Sequence, residues 1–533
     1  MAITPHTDEH PAPGGARRAL TREGWTVVGI VLASLAVRVP LAAALDVFQD
    51  EAIYWWQGHT GVTFCPHPPA VPMLARAGVV LFGQGVFALR IASLLWGTAS
   101  IVLAYWVGRD LAGRRAGVWA AALFAACPFF LAVGVILTPD ALLVVLWLLF
   151  LWVTWRAAQT DAPRWWAASG VVLAAGLYTK YMMILAAPCA LFALSATAKG
   201  RARLRRPGPW AALAVGLGLF LPAFVAWNVQ HDWSAVRYHL AARHEWTPSF
   251  VAHAPAYIGG HAAAFSPVLY VGMLAAFVGA WRAWRRGAWS GAWLFSFGVG
   301  PILFFLAPSL FTEERLSRVQ WDEIGYAVGI VALACAIAPG GEGRERRRWR
   351  RTGVAALALA LVMSLALSAV SRWPGLAAGA GIRVPTRQME GWREVTERVE
   401  AMDETWPGGR PIVVTRSFKT AVCLGFRRGR EDIYTLEHRR NERYGLIGQL
   451  AAWGIDERHL EMERGDRDAL YVIPRGHEVA RPHKPNLKRI RRFFTTVEPV
   501  DAFDIVRGGH PLFSFHLFRC TGRRDPAAPA DDP

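Results

Sequence analysis

Two adjacent acids, Asp50 and Glu51, are the residues of this sequence best placed to do chemistry. They lie in the stretch 46–69, DVFQDEAIYWWQGHTGVTFCPHPP, directly after an apolar run at 24–45. A carboxylate just beyond a membrane span can stay ionised and accept a proton from an incoming nucleophile. Ring-bearing side chains surround the acids, namely Tyr54, Trp55, Trp56, His59 and His67. The stretch therefore predicts a catalytic loop in which the tyrosine and both histidines bind substrate. The alternative is a loop that only connects two segments and whose acids are simply solvated.

The composition indicates a membrane protein. Of 533 residues, 53% are hydrophobic and 25 are Trp, and the mean hydropathy is +0.25. The apolar residues form about eleven blocks, most of them close to the roughly 20 residues that a membrane helix needs. The blocks lie near 24–45, 86–108, 116–135, 139–155, 165–179, 181–198, 209–228, 264–284, 289–308, 321–339 and 353–371. We read 165–198 as a hairpin that breaks at 178–181, and the proline-interrupted region 66–85 as an interfacial helix.

The net charge of +18 could indicate nucleic-acid binding, but the basic residues cluster in short loops between the apolar blocks, which instead indicates loops held on the cytoplasmic side of a membrane. Basic residues cluster in segments that fall on one side of the membrane if the blocks alternate, namely 1–23, 109–115, 156–164, 199–206, 282–286 and 344–351. The excess of Lys and Arg makes that side cytoplasmic. In a bacterial inner membrane, the loops 46–85 and 229–263 and everything after residue 371 then face the periplasm.

The composition changes after residue 371 to that of an ordinary soluble domain. We therefore expect a transmembrane domain at 24–371 and a small periplasmic α/β domain at 372–521. Its strands are predicted near 411–415 and 469–473 and its helices near 387–404 and 442–453, before a disordered tail at 522–533. The six cysteines show no metal-ligand spacing, and only Cys423 and Cys520 are candidates for a disulfide.

Four short motifs resemble one family. They are the acidic pair with the HPP turn at 67–69, LTPD at 137–140, GLYTKY at 176–181 and PAFVAWNVQHDWSAVRYHL at 222–240. Together they resemble the polytopic GT-C glycosyltransferases, in particular bacterial relatives of protein O-mannosyltransferases and of the lipid A aminoarabinose transferase. The resemblance covers roughly residues 24 to 330. It implies a catalytic aspartate in the first external loop and a polyprenyl-phosphate sugar donor.

The resemblance also implies roles for Asp140 and Lys180. Thr138 and Pro139 form a plain helix start, with Thr as the cap. Asp140 would face the first-loop acids across the donor pocket, where it could orient a sugar hydroxyl or a divalent cation, so metal dependence is left open. Lys180 either snorkels to the membrane surface or meets the donor phosphate.

Further cations are candidates for phosphate binding. Arg237 and Arg243 lie in the second external loop. Arg315 and Arg318 lie in FTEERLSRVQWDEIGY, which matches the family only loosely. Five histidines between residues 231 and 261 match no metal-ligand spacing, so we expect them to be structural or to bind phosphate.

The sequence therefore predicts a membrane glycosyltransferase that moves a sugar from a polyprenyl-phosphate donor to a periplasmic acceptor, with inversion. Asp50 would be the general base, Glu51 and Asp140 would position the acceptor, and Lys180 would stabilise the departing phosphate. The acceptor is left open among lipid A, another glycolipid, a glycan and a protein. The alternatives are a transporter or flippase for a lipid-linked sugar and a non-catalytic relative. A transporter predicts mid-membrane charges and matching halves, whereas these acids lie at span ends.

Overall fold

Helices make up most of the chain as far as residue 405. The computed structural model describes residues 22–242, 250–311, 319–339, 343–430, 432–436, 441, 447–463, 465, 467–475 and 487–524. The α-helices, in chain order, are α1 (Arg22–Ala44), α2 (Gln49–Thr60), α3 (Ala70–Phe82), α4 (Val86–Ala112), α5 (Arg114–Ala126), α6 (Pro128–Val133), α7 (Pro139–Thr160), α8 (Pro163–Leu177), α9 (Ala186–Ser195), α10 (Ala198–Leu204), α11 (Pro207–Gln230), α12 (Ser234–Arg237), α13 (Phe250–Phe265), α14 (Pro267–Arg285), α15 (Trp289–Phe311), α16 (Val319–Ile337), α17 (Arg344–Arg372), α18 (Pro374–Gly379), α19 (Trp392–Thr405), α20 (Phe418–Arg428), α21 (Ile447–Ala452) and α22 (Glu457–Glu463).

Eight of these helices, within the described residues, are long and apolar enough to cross a membrane: α1, α4, α7, α11, α14, α15, α16 and α17. The remaining predicted blocks are shorter or interrupted. Block 116–135 is divided between α5 and α6, and 165–198 is divided between α8 and α9 around a turn at 178–180 and a 3₁₀ segment, Tyr181–Leu185. The polytopic helical fold is confirmed, whereas the count of eleven spans stays a prediction.

Prolines and glycines explain much of the bundle's local structure. Proline suits the first position of a helix, because its fixed φ is helical and its missing N–H costs nothing there. Several helices of the bundle begin with proline, namely α6, α7, α8, α11 and α14. Glycines allow close approach between helices: a Cβ on Gly117 would lie 2.6 Å from the carbonyl oxygen of Tyr105, and one on Gly325 would lie 2.4 Å from that of Gly298. The most buried spans are α7 and α16, at the centre of the bundle.

The prediction of a loop at 46–69 is wrong for half of that stretch. Residues Gln49–Thr60 form α2, and nearly all of its side chains are buried. The backbone N–H of Phe48 donates to the Glu51 carboxylate at 2.9 Å, which stabilises the first turn. The tryptophans that suggested an interfacial loop pack instead against the C-terminal part of the chain. The region 66–85 contains α3, whose exposed Val80, Leu81 and Phe82 fit the predicted interfacial helix.

The C-terminal domain is built on a five-stranded sheet in the order β2-β1-β3-β5-β4. The strands are β1 (Ile412–Thr415), β2 (Ile433–Thr435), β3 (Ala469–Arg475), β4 (Phe494–Arg507) and β5 (His510–Arg523). β1 is parallel to β2 and β3, whereas β5 is antiparallel to both β3 and β4. The predicted α/β class is confirmed, but the long β4–β5 hairpin was missed.

Two C-terminal predictions need correction. β5 continues to Arg523, beyond the predicted start of the tail at 522; residues 525–533 lie outside the described part of the chain. Cys423 and Cys520 are both free, because they belong to hydrophobic clusters on opposite faces of the sheet. The predicted helix near 387–404 is α19, preceded by a 3₁₀ turn at Arg387–Met389. The helix near 442–453 is α21, and residues 442–446 are not described.

Candidate active site

Glu51 fastens the first turn of α2 to α4 through a buried ion pair with Arg90. The carboxylate accepts from Arg90 Nε at 2.8 Å and Nη2 at 2.6 Å, and both side chains are fully buried. It also accepts the backbone N–H groups of Phe48 and Leu137, each at 2.9 Å. Arg90 in turn donates to three carbonyl oxygens at the end of α1, those of Ala42, Leu45 and Asp46. Four protein donors therefore occupy Glu51, which suits a positioning residue rather than a proton acceptor.

Asp50, the next residue on α2, is in a different situation. It is half-buried, and burial raises the pKa of its carboxyl group to about 6. This value already includes the upward effects of the Asp140 and Glu51 carboxylates and the downward effects of Lys419 and of a hydrogen bond from the Gln49 side chain. A carboxylate with a pKa near 6 is ionised at neutral pH and is a stronger base than an ordinary aspartate. Of the two acids, Asp50 is the one with the properties of a general base.

Asp140 lies across from Asp50, in the first turn of α7, and forms an ion pair with Lys180. Lys180 Nζ is 2.6 Å from Oδ1 of Asp140 and donates to the carbonyl oxygen of Gln320 at 2.8 Å. Only 6% of Lys180 is exposed, so it does not snorkel to the surface. The structure thus brings together three of the predicted residues, Asp50, Asp140 and Lys180.

Glu323 is a member of this cluster that the sequence analysis missed. Its Oε1 lies 3.7 Å from Lys180 Nζ, its side chain is fully buried in α16, and neither carboxylate oxygen accepts a hydrogen bond within the described residues. A buried carboxylate requires a nearby cation. The sequence does contain a feature that could have identified Glu323, namely two adjacent acids, Asp322 and Glu323, inside the apolar block 321–339. The sequence analysis used that block only to place a membrane span.

The neighbouring Asp322 belongs to a separate buried cluster. Its Oδ1 lies 2.8 Å from Nε2 of His261, and its Oδ2 accepts the hydroxyl of Tyr257. Both Asp322 and His261 are fully buried, and the ring of Tyr326 packs 5.1 Å from the imidazole. These contacts join α13 to α16. His261 is therefore a structural histidine, one of the two roles predicted for the loop histidines.

The predicted cap at the start of α7 does not form. Thr138 occupies the N-cap position with an extended backbone, but its side chain makes no capping hydrogen bond. Its hydroxyl oxygen is buried without a hydrogen-bond partner in the described part of the chain. The Glu51 carboxylate accepts instead from the N–H of Leu137, the residue before Thr138. The turn is thus held by α2 rather than by its own cap.

The other predicted substrate-binding residues are spread more widely. Tyr54 is buried, with its ring 6.4 Å from that of His67, which is half-buried. His59 is exposed on the last turn of α2 and stacks on Trp55, roughly 13 Å along the helix from Asp50. The structure does not bring His59 to the acids. Arg237 is exposed on α12, whereas Arg243, Arg315 and Arg318 lie outside the described residues.

The C-terminal domain docks directly on α2, through α20. Trp56 Nε1 donates to the carbonyl oxygen of Val422 at 3.3 Å, and its ring stacks on Trp453 at 5.7 Å. At the end of α1, the Asp46 carboxylate forms an ion pair with Arg427. The sequence analysis treated the two domains as separate and missed this contact. It places a C-terminal helix beside the candidate catalytic acid.

Few chelating side chains meet in this region. The described residues contain no group of three or more His, Cys, Asp or Glu side chains arranged to hold a metal ion. Asp140 and Glu323 are close to each other, but they share the ammonium of Lys180. We therefore assign no step of the chemistry to a metal.

Solved structures of membrane glycosyltransferases have the same fold. ArnT from Cupriavidus metallidurans bound to undecaprenyl phosphate matches with a TM-score of 0.62 at 14% identity, over 96% of this chain and all of that one. The archaeal oligosaccharyltransferase AglB from Archaeoglobus fulgidus, in complex with an inhibitory peptide and a dolichol-phosphate, matches with a TM-score of 0.56 at 12% identity, over 96% of this chain and 75% of that one. The mycobacterial arabinofuranosyltransferase AftD matches with a TM-score of 0.50 at 15% identity, over 95% of this chain and 42% of that one.

The fold is therefore that of the GT-C membrane glycosyltransferases, and the predicted class is confirmed. Residues 66–227, from just before α3 to near the end of α11, match the family described as dolichyl-phosphate-mannose-protein mannosyltransferase. A search among curated proteins found no match. All of these similar proteins are transferases, so the transporter alternative is not favoured.

Proposed function

We propose that this protein transfers a sugar from a polyprenyl-phosphate donor to an acceptor at the external face of the membrane. The observation that carries this proposal is the half-buried Asp50, with its raised pKa, beside Asp140 and outside the spans. The donor class is supported by two of the similar structures, which were solved with undecaprenyl phosphate and dolichol-phosphate respectively. Lipid A, another glycolipid, a glycan and a protein remain the candidate acceptors.

In the proposed reaction, Asp50 accepts the proton of an acceptor hydroxyl as its oxygen attacks the anomeric carbon. The new glycosidic bond forms while the bond between that carbon and the phosphate oxygen breaks. The bonding electron pair leaves with the polyprenyl phosphate. Attack from the side opposite the leaving group inverts the configuration. Asp140 orients a polar group of the substrate, and Glu51 holds the first turn of α2 in place.

The departing phosphate needs positive charge. Lys180 is the buried cation of the site, and Arg237 is an exposed one in the second external loop. Asp140 forms an ion pair with Lys180, so a bound phosphate would share the ammonium or displace the carboxylate. This exchange would couple donor binding to a change in the environment of Asp140.

We further propose a bacterial inner membrane with the N-terminus in the cytoplasm and the C-terminal domain in the periplasm. The support is the distribution of basic residues between the apolar blocks. Reporter fusions after residues 200 and 400 should report cytoplasm and periplasm respectively. If both report the same side, the site cannot face the periplasm as proposed.

The decisive variant for the function is Asp50→Asn, which keeps the shape of the side chain but cannot accept the proton. We expect turnover to fall by about two to four orders of magnitude. Asp232→Asn is the matched control, because Asp232 is exposed and has a left-handed backbone, with φ of 51°, that Asn adopts readily. The assay is transfer from a synthetic polyprenyl-phosphate sugar to extracted envelope acceptors, with thermal stability measured in parallel.

Each result has a clear meaning. Near-normal turnover in Asp50→Asn would remove this residue from the mechanism. Failure of the wild type to transfer from any donor would reject the proposed function. Mass spectrometry of envelope lipids and glycoproteins, from cells with and without the gene, would identify the sugar and the acceptor.

A further inference from the structure

One face of α20 is directed at the acids around α2. Lys419, Cys423 and Arg427 are spaced four residues apart, so they share one face of the helix. Arg427 Nε lies 2.8 Å from the Asp46 carboxylate. This contact holds the C-terminal end of the face beside the segment that joins α1 to α2. Cys423 is fully buried, and this burial is the main reason that the pKa of its thiol is raised; Asp46, Glu51 and Asp50 raise the pKa as well, whereas Lys419 lowers it. The middle of the face therefore lies against the acids.

The register of α20 on α2 is fixed by close contacts. Gly425 lies against the indole of Trp56, where a Cβ would be only 2.5 Å from the ring. The first turn of α20 is held as well, since Phe418 and Thr420 are buried on either side of Lys419. Lys419 is half-buried between them. Sliding α20 by one turn would break each of these contacts, so the interface with α2 fixes the turn of α20 that carries Lys419. From this position the ammonium lowers the pKa of the Asp50 carboxyl group.

The position of Lys419 is unfavourable for the helix itself. It lies in the first turn of α20, where the partial positive charge of the helix disfavours a lysine. The acidic group opposite explains why a cation is placed there. Among the described charged side chains with the largest effect on Asp50, Asp140 from α7 and Glu51 from α2 itself are acidic, and Lys419 is a cation. The guanidinium of Arg90 is engaged by Glu51, and that of Arg427 by Asp46.

We propose that Lys419 is a positioning residue of the active site, through which the C-terminal domain holds the carboxylate of Asp50 in its proton-accepting form. This inference rests on the proposed function. In the reaction the proton passes from the acceptor hydroxyl to Asp50, and Lys419 remains an ammonium ion throughout. Lys419 thus opposes the effects of burial and of the two neighbouring acids, which would otherwise protonate Asp50 at a higher pH. The C-terminal domain completes the site rather than merely covering it.

The test is the pH profile of kcat/KM for the wild type and for Lys419→Met. Loss of the ammonium should move the acid limb of the profile upward by about one pH unit. At acidic pH, kcat/KM should therefore fall roughly tenfold, whereas at alkaline pH it should change little. Lys419→Arg should restore the wild-type limb, because it keeps the charge. Arg416→Met is the matched control, since it removes an exposed cation three residues away and should leave the limb unchanged.

A second measurement does not need turnover. Infrared titration of the Asp50 carboxyl, identified by its loss in Asp50→Asn, should show the same upward shift in Lys419→Met. Lys419→Gln replaces the Met variant if thermal melting shows that the latter is misfolded. An unchanged acid limb and an unchanged titration in a folded variant would overturn the role of Lys419. A shifted titration in a protein that transfers no sugar would instead reject the proposed function alone.

Discussion

The ammonium of Lys180 lies 2.6 Å from the carboxylate of Asp140, joining the turn after α8 to the first turn of α7. The two residues are 40 positions apart in the sequence and come from two different motifs. The pair is nearly buried, and Glu323 approaches the same ammonium from α16. One cation therefore serves two carboxylates in the centre of the candidate site.

We predict that Lys180→Met both destabilises the protein and weakens donor use. Removing the ammonium leaves two nearly buried carboxylates without a cation, which costs roughly 3–5 kcal/mol for a buried pair. Thermal unfolding in detergent and the KM for the donor measure the two effects. Lys199→Met is the matched control, because Lys199 is exposed and its loss should cost less than about 1 kcal/mol.

Neutralising the partners separates stability from donor binding. Adding Asp140→Asn and Glu323→Gln to Lys180→Met should restore much of the thermal stability, since no uncompensated charge remains. Donor use should stay impaired because the cation is still missing. A single Lys180→Met variant with unchanged stability and unchanged kinetics would contradict both parts of the prediction.

We predict that Arg90→Met strongly destabilises the fold. Arg90 joins Glu51 to the end of α1, and its loss would leave the carboxylate of Glu51 buried and unpaired, at a cost of roughly 3–5 kcal/mol. Glu51→Gln should be milder because the amide can still accept hydrogen bonds. Expression level and thermal melting provide the measurement, with Arg76→Met, at an exposed arginine on α3, as the control. Normal melting of Arg90→Met would show that this ion pair does not organise α2.

We predict an acid limb in kcat/KM near pH 6. Asp50 accepts a proton only when it is ionised, and its raised pKa of about 6 means that the active form is lost as the pH falls through that value. The rate should decrease about tenfold per pH unit below it. Asp232→Asn should have the same limb as the wild type. A limb near pH 4 would indicate that the base is an ordinary solvated carboxylate.

We predict that Gly425→Ala weakens docking of the C-terminal domain. The new methyl group would meet the indole of Trp56 at 2.5 Å, and Trp56 is fully buried and cannot easily move. Alanine is the better helix former, so any loss comes from this contact and not from α20 itself. Gly448→Ala in α21 is the control, because its Cβ would meet nothing within 4 Å. Limited proteolysis should cleave the Gly425 variant faster, and equal cleavage rates would argue against tight docking.

The sequence determined the class of the protein because that class depends on local patterns. Apolar blocks separated by basic segments specify a polytopic membrane protein, since each helix must satisfy its backbone within the bilayer by itself. The acids at 50 and 51 and the LTPD and GLYTKY motifs identified most of the residues that meet at the site. The change in composition after residue 371 also separated the C-terminal domain from the spans.

The tertiary structure decided which of these residues are available for chemistry. Asp50 and Glu51 are neighbours of the same charge, yet Glu51 is occupied by Arg90 and by the N–H groups of Phe48 and Leu137, whereas Asp50 is half-buried and open to a substrate. Glu323 joins the site from a position more than 160 residues after the end of α7, and Lys419 from a position more than 350 residues after the end of α2. Such pairings are set by helix packing and domain docking, which depend on the shapes of surfaces distant in sequence. No local pattern encodes them.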